Sequence, residues 1–294
     1  MRDLLRMPDG RMLEIEVSGP REGVPLLYHH GTPGAGISPP HLARAAAARG
    51  LRLVVTSRAG YGRSTPAPGR RVANVAADMA TVLHALGEPD SAPCLVAGWS
   101  GGGPHALATA AGLAERVAGV LVIAGVAPYD AAGLDFLAGM GQDNLDEFDA
   151  TLRGEEPLRE LLETLAPGLR AAGPDELITE MASLLPDVDR AVLTAEFGEW
   201  LATTTREGLR ESVDGWLEDD LAFVRPWGFD LGEITAPVFV WQGGHDLMVP
   251  AAHGGWLADA LANAVPHLLP GEGHLSIALG QVEAMLDELV ATLP

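Results

Sequence analysis

Ser100 stands among glycines in the stretch Cys94-Leu95-Val96-Ala97-Gly98-Trp99-Ser100-Gly101-Gly102-Gly103-Pro104-His105-Ala106. An apolar run leads in, and a segment rich in alanine and leucine follows, read as a helix from about Gly101 to Ala114. Strand, sharp turn and helix in that order are the context of a G-x-S-x-G nucleophile elbow. Glycines flank the serine because such a turn strains its backbone and leaves no room for neighbouring Cβ atoms. A serine hydroxyl is a poor nucleophile at neutral pH. It needs a base, and the base needs a partner that fixes its tautomer and stabilises its charged form. In open sheets these groups gather at the carboxyl ends of strands. Two further loops leaving apolar strands offer the types required: Gln242-Gly243-Gly244-His245-Asp246, and Pro270-Gly271-Glu272-Gly273-His274.

Other chemistries fit less well. Gly101-x-Gly103-x-x-Ala106 also spells a dinucleotide turn, but the next strand ends Val122-Ile123-Ala124-Gly125 without the acidic residue a ribose requires. Cys94, the single cysteine, lies inside a strand, where little stabilises a thiolate. The histidines lack the spacing of a metal site, so no metal or cofactor is expected. His29 and His30 are read as shaping the loop that follows them, His105 as packing on the elbow helix, and His245 and His253 as loop or helix-surface residues.

The elements that must position these groups alternate in type. Met12–Val17 alternates apolar residues with glutamates beyond a Pro8-Asp9-Gly10-Arg11 turn, as in a hairpin with one wet face. Apolar runs at Val24–His29, Cys94–Trp99, Val117–Ile123 and Val238–Trp241 read as buried strands, and Leu51–Thr56, with Arg52 inside it, reads as a further strand. Helical patterns separate them, which implies a mostly parallel central sheet flanked by helices, an α/β fold.

From Ala127 to Asp230 strand signals vanish. Helical stretches take over, among them Glu155–Leu165, Pro174–Leu185 and Val188–Thr204. This segment holds 24 of the 40 acidic residues but only seven of the 19 basic ones, and every basic residue is arginine. It reads as a helical cap inserted into the core, giving core residues 1–126, cap 127–230 and core 231–294. The net charge of −21 argues against nucleic acid and anionic membrane surfaces as partners. No apolar run is long enough to span a bilayer and the first residues lack a signal-peptide pattern, so a cytoplasmic protein is expected. The composition leaves its oligomeric state open.

Taken together, the motifs resemble the α/β-hydrolase superfamily in its capped, esterase- and lipase-like branch. The likeness rests on His30-Gly31-Thr32-Pro33-Gly34, Gly60-Tyr61-Gly62-Arg63-Ser64, Gly98-Trp99-Ser100-Gly101-Gly102, Gly243-Gly244-His245-Asp246 and Gly271-Glu272-Gly273-His274. It implies Ser100 as nucleophile, His274 as general base and then acid, and Asp246 as its orienting carboxylate. Asp130, after the sixth strand, is the alternative acid. The backbone N–H groups of Thr32 and Gly101 would form the oxyanion hole, and Trp99, Leu247 and Met248 would line an apolar substrate pocket. The activity implied is a serine hydrolase acting on an ester, thioester or lactone of a small-molecule substrate. Serine at the elbow departs from the aspartate of haloalkane dehalogenases and epoxide hydrolases. The His30–Gly34 loop is similar to that of prolyl iminopeptidases, which makes an aminopeptidase the second expectation. Acids of the cap would then hold the substrate's ammonium group. A metabolite receptor or cyclase on the same scaffold is the third.

Overall fold

The computed structural model describes residues 2–193 and 195–294. Eight strands form one sheet: β1 (Arg2–Arg6), β2 (Met12–Ser18), β3 (Val24–His29), β4 (Leu51–Ser57), β5 (Cys94–Trp99), β6 (Val117–Ile123), β7 (Val238–Gly243) and β8 (Ala264–Leu269). Their spatial order is β1-β2-β4-β3-β5-β6-β7-β8; the β1–β2 and β2–β4 pairings are antiparallel and the other five are parallel. The register aligns the strand ends that matter: His29 lies opposite Gly98, Trp99 opposite Ile123, and Ile123 opposite Trp241. Loops carrying the reactive residues therefore leave a single edge of the sheet.

The central strands are apolar throughout because both faces are covered. Every residue of β5 and β7 is buried, between an apolar layer containing Leu26, Leu95 and Leu121 and one containing Leu27, Val96 and Val122. Helices α1 (Pro40–Ala48), α2 (Val75–Ala85) and α3 (Gly102–Gly112) cover the first half of the sheet. Six helices lie between β6 and β7: α4 (Gln142–Arg153), α5 (Glu155–Ala171), α6 (Pro174–Glu180), α7 (Asp187–Arg190), α8 (Ala195–Gly208) and α9 (Asp214–Phe223). The chain then adds α10 (Ala251–Ala260), α11 (His274–Gly280) and α12 (Val282–Val290).

Four local readings change, the smallest at α6, which stops at Glu180 where a helix to Leu185 was expected. Val188–Thr204, expected as one helix, is divided between α7, ending at Arg190, and α8, starting at Ala195. In α7, Asp189 turns inward to accept hydrogen bonds from the start of α11, a demand from distant chain that local periodicity does not carry. Helix α5 continues through Pro167 to Ala171 instead of ending at Leu165, held by Leu158, Leu162 and Ala166 in a buried cluster. His274, read as closing a loop, is the first residue of α11.

Candidate active site

Strain marks the elbow. Ser100 has φ of 56°, a left-handed conformation that non-glycine residues rarely adopt and that costs on the order of 1–3 kcal/mol. Its N–H donates to the Ile123 carbonyl at 2.9 Å, tying the turn to the neighbouring strand. The flanking glycines are steric necessities: a Cβ on Gly98 would lie 2.2 Å from the Gly102 carbonyl oxygen, and one on Gly102 would lie 2.1 Å from that of His29.

Behind this turn, His274 Nδ1 lies 2.7 Å from Asp246 Oδ2, and both side chains are buried. Asp246 is itself held by four hydrogen bonds. Oδ1 accepts the N–H groups of Met248 and Val249 at 2.8 Å each, while Oδ2 takes Gln242 Nε2 at 3.1 Å as well as the imidazole. An acceptor carboxylate on Nδ1 sets the tautomer and leaves Nε2 without its proton. Burial opposes charging of His274, but the Asp246 carboxylate, through charge and hydrogen bond, outweighs it and raises the pKa above 6.5; Asp189 adds to the rise. Asp130, the alternative acid, is exposed.

Ser100 and His274 line one cavity of about 190 Å³, together with Gly31, Thr32, Gly101, Trp99 and Met248. The two expected oxyanion positions abut: a Cβ on Gly101 would fall 2.3 Å from Thr32 Oγ1. Leu247 corrects the expected pocket, since it is absent from the cavity wall. Its carbonyl instead accepts the Gly141 N–H at 2.8 Å, which fastens the acid loop to the start of α4. His253 is also corrected. Far from the surface, it is fully buried, with Nδ1 accepting the Ala127 N–H and Nε2 donating to the Phe136 carbonyl. His29 and His30 are buried beside the loop; His30 Nδ1 reaches the Gly31 carbonyl at 2.7 Å and Nε2 accepts the Arg58 N–H. His105 reaches back to the Gly101 carbonyl within the elbow helix. No cluster of three or more His, Cys, Asp or Glu suited to a metal, and no helix long and apolar enough to cross a membrane, occurs among the described residues.

A family model described as the alpha/beta hydrolase family matches residues 26–292. The chain belongs to the alpha/beta hydrolase family. It is similar to the proline iminopeptidase of Neisseria meningitidis, 28% identical over 95% of this chain and 92% of that protein. Among solved structures, a bromoperoxidase from Bacillus anthracis superposes with a TM-score of 0.72 at 20% identity, covering 99% of each chain. An esterase from Thermogutta terrifontis gives 0.69 at 21% identity over 99% and 98% of the two chains. These likenesses carry the fold: a mostly parallel eight-stranded sheet flanked by helices.

Within this alpha/beta hydrolase, sequence reasoning missed three groups of residues around the cavity. The first is an ion cluster. Asp219 of α9, fully buried, accepts from Arg58, Arg70, the Tyr61 hydroxyl and the Thr32 hydroxyl. Arg58 in turn donates to the His30 and Gly31 carbonyls and to Thr32 Oγ1. Burial penalises the Asp219 carboxylate, yet Arg58 and Arg70 hold its pKa well below the usual range. The second is Asp189, which caps α11. The third is Glu147 of α4 beside Asp220 of α9, both in the cavity wall. Glu147 accepts the Trp216 indole N–H at 2.7 Å, whereas Asp220 Oδ2 has no partner. Burial raises the pKa of both carboxyls, and the neighbouring Glu147 pushes Asp220 further, well above the carboxylate range. The His30-Gly31-Thr32, Gly60-Tyr61-Gly62 and Gly273-His274 stretches were sequence signals beside these groups, but none says which distant residues of the insertion it meets.

Proposed function

We propose that the chain is a serine hydrolase that cleaves a small carboxylic ester, thioester or lactone through an acyl-enzyme on Ser100. The observation that carries this reading is a cavity lined by a strained serine, an imidazole backed by a buried carboxylate, and the residues Thr32 and Gly101. Ser100 Oγ attacks the acyl carbon while His274 Nε2 removes its proton. The N–H groups of Thr32 and Gly101 hold the oxyanion, each contributing about 3–4 kcal/mol to the transition state. His274 then protonates the leaving oxygen, and water attacks the acyl-enzyme by the same route. The six helices between β6 and β7, within residues 127–230, act as the cap. Trp99 and Met248 flank the acyl group, and a cavity of about 190 Å³ favours short acyl chains over drug-sized ligands. Hydrolysis of p-nitrophenyl acetate and butyrate by the wild type and Ser100→Ala tests the proposal. Loss of turnover and of fluorophosphonate labelling in the variant supports it; equal turnover ends it. Labelling without turnover of any ester would favour a receptor or cyclase.

A second reading is an aminopeptidase acting on short peptides or amides. It is favoured by the Glu147–Asp220 pair, with one carboxylate oxygen unpaired in a cavity lined by no arginine, and by the similarity to proline iminopeptidase. Burial and the neighbouring Glu147 hold the Asp220 carboxyl well above the carboxylate range, and a substrate ammonium beside it would favour its charged form. Cleavage of aminoacyl p-nitroanilides by the wild type but not by Asp220→Asn supports this reading. Absence of anilide cleavage at concentrations that saturate ester hydrolysis removes it.

A further inference from the structure

Two catalytic loops end in backbone atoms that lean on carboxylates from the inserted helices, although both loops belong to the sheet. At the first, the Asp189 carboxylate of α7 meets the start of α11. Oδ2 accepts the His274 N–H at 2.8 Å, and Oδ1 accepts those of Leu275 at 3.0 Å and Ser276 at 2.9 Å. Asp189 is fully buried, and the fit is close enough that a Cβ on Gly273 would lie 2.5 Å from both of its oxygens. At the second, Asp219 of α9 accepts the Thr32 hydroxyl at 2.7 Å and binds Arg58 Nη2 at 2.6 Å. Arg58 is the residue whose guanidinium grips the carbonyls of His30 and Gly31. The His30–Thr32 loop is thus held by Arg58, whose ion pair among the described residues is with Asp219 of α9, the carboxylate that also pairs with Arg70.

We propose that Asp189 and Asp219 are positioning residues, through which the helical insertion holds the base and the oxyanion loop in register. The inference rests on the serine-hydrolase reading of Ser100 and His274. The insertion then is not a lid that swings free of the core. Moving α7 withdraws the carboxylate from three N–H groups at the base, and moving α9 leaves the Arg58 and Arg70 charges buried without a counterion, which is strongly unfavourable. Small displacements matter at such sites, since a shift of about 1 Å in a reacting group can cost on the order of 10²-fold in rate.

The test uses the full chain, with near-UV circular dichroism verifying the fold of each variant at 25 °C. Asp189→Asn keeps the shape but loses the charge and one acceptor. It is expected to lower kcat for p-nitrophenyl butyrate at least tenfold with KM within twofold, and to move the acid limb of the pH–rate profile downward. Thr32→Val removes the hydroxyl link to Asp219 and is expected to lower kcat similarly while leaving the acid limb in place. Asp219→Asn should be the most severe; if it does not fold, Thr32→Val decides. Folded Asp189→Asn and Thr32→Val variants with wild-type kcat and acid limb overturn the proposal. The pKa of the His274 imidazole, followed by NMR, separates this failure from that of the parent reading. Asp189→Asn lowers it whether or not Ser100 is the nucleophile.

Discussion

Gly101→Ala separates geometry from stability at the proposed oxyanion hole. Gly101 has φ −55° and ψ −12°, helical values that alanine adopts without strain. Gly101 is the N-cap of α3, where alanine has no advantage over glycine, so the substitution brings no helix gain. The added Cβ meets trouble elsewhere. It would lie 2.3 Å from Thr32 Oγ1, 2.9 Å from Thr32 Cβ and 3.0 Å from Phe223 Cζ. Rotating the Thr32 side chain moves the hydroxyl but not its Cβ, and the hydroxyl is tied to Arg58 and Asp219. The Thr32 backbone must therefore retreat, by roughly 1 Å to restore ordinary contact distances. That displaces one of the two N–H donors, and losing a donor of this kind costs about 10²–10³ in kcat. Strain in repacking Thr32 and Phe223 costs about 1–3 kcal/mol. The expected variant is folded, with a melting temperature within a few degrees of wild type and kcat for p-nitrophenyl butyrate reduced about 10²-fold. Fluorophosphonate labelling should slow in parallel. A folded Gly101→Ala retaining a third or more of wild-type kcat would refute the assignment of Thr32 and Gly101.

The remaining expectations are more direct. Because the base must be neutral and Asp246 raises the His274 pKa above 6.5, kcat/KM rises with pH through a value above 6.5; an acid limb below 6 would contradict the assignment. Asp246→Asn removes both the charge and the tautomer control, so kcat falls by about 10⁴-fold and the surviving acid limb shifts downward, as pH–rate profiles would record. Glu147→Gln relieves a buried carboxyl whose pKa is raised by burial. In the wild type that group destabilises the fold increasingly as pH climbs above its unfolded value, so thermal melts should show the variant gaining on wild type from pH 5 to 8. Burial pushes the Cys94 thiol to about 11, so native protein should not react with a thiol reagent at pH 8, while denatured protein reacts with one equivalent.

The sheet was legible because its evidence is local. A strand buried on both faces has to be apolar at every position, and Cys94–Trp99 and Val117–Ile123 satisfy that without reference to anything distant. The turn at Ser100 was legible for a similar reason: Gly98 and Gly102 face carbonyl oxygens barely 2 Å from where a Cβ would sit, and glycine answers that constraint. The inserted segment carried weaker signals. Its helices are interrupted by breaks and packed against one another, so Val188–Thr204 kept a helical rhythm across a break at which Asp189 reaches the start of α11. His253 illustrates the same blindness in the core. A histidine on α10 with a surface-like sequence context is buried because the Ala127 N–H and the Phe136 carbonyl meet its two ring nitrogens.

The acidity of the insertion explains why its positioning residues stayed hidden. With 24 acids in the segment, solvated helical faces are the expected use of most of them, and composition gives Asp189 and Asp219 no distinction from their neighbours. Glu218-Asp219-Asp220 makes the point within three residues. Glu218 caps the Gly69 N–H at 2.8 Å, Asp219 neutralises two arginines, and Asp220 faces the cavity with one oxygen unpaired. Three adjacent carboxyls on one helix thus meet three environments, and the shifts follow: Asp219 is driven down by Arg58 and Arg70, while Asp220 is driven up by burial and by Glu147. What separates them is which part of the core each one reaches. Thr32, Arg58 and Arg70 supply the environment of Asp219, Gly69 that of Glu218 and Glu147 of α4 that of Asp220, so a substitution at Asp219 is expected to register at Thr32 as well as in the helix that carries it.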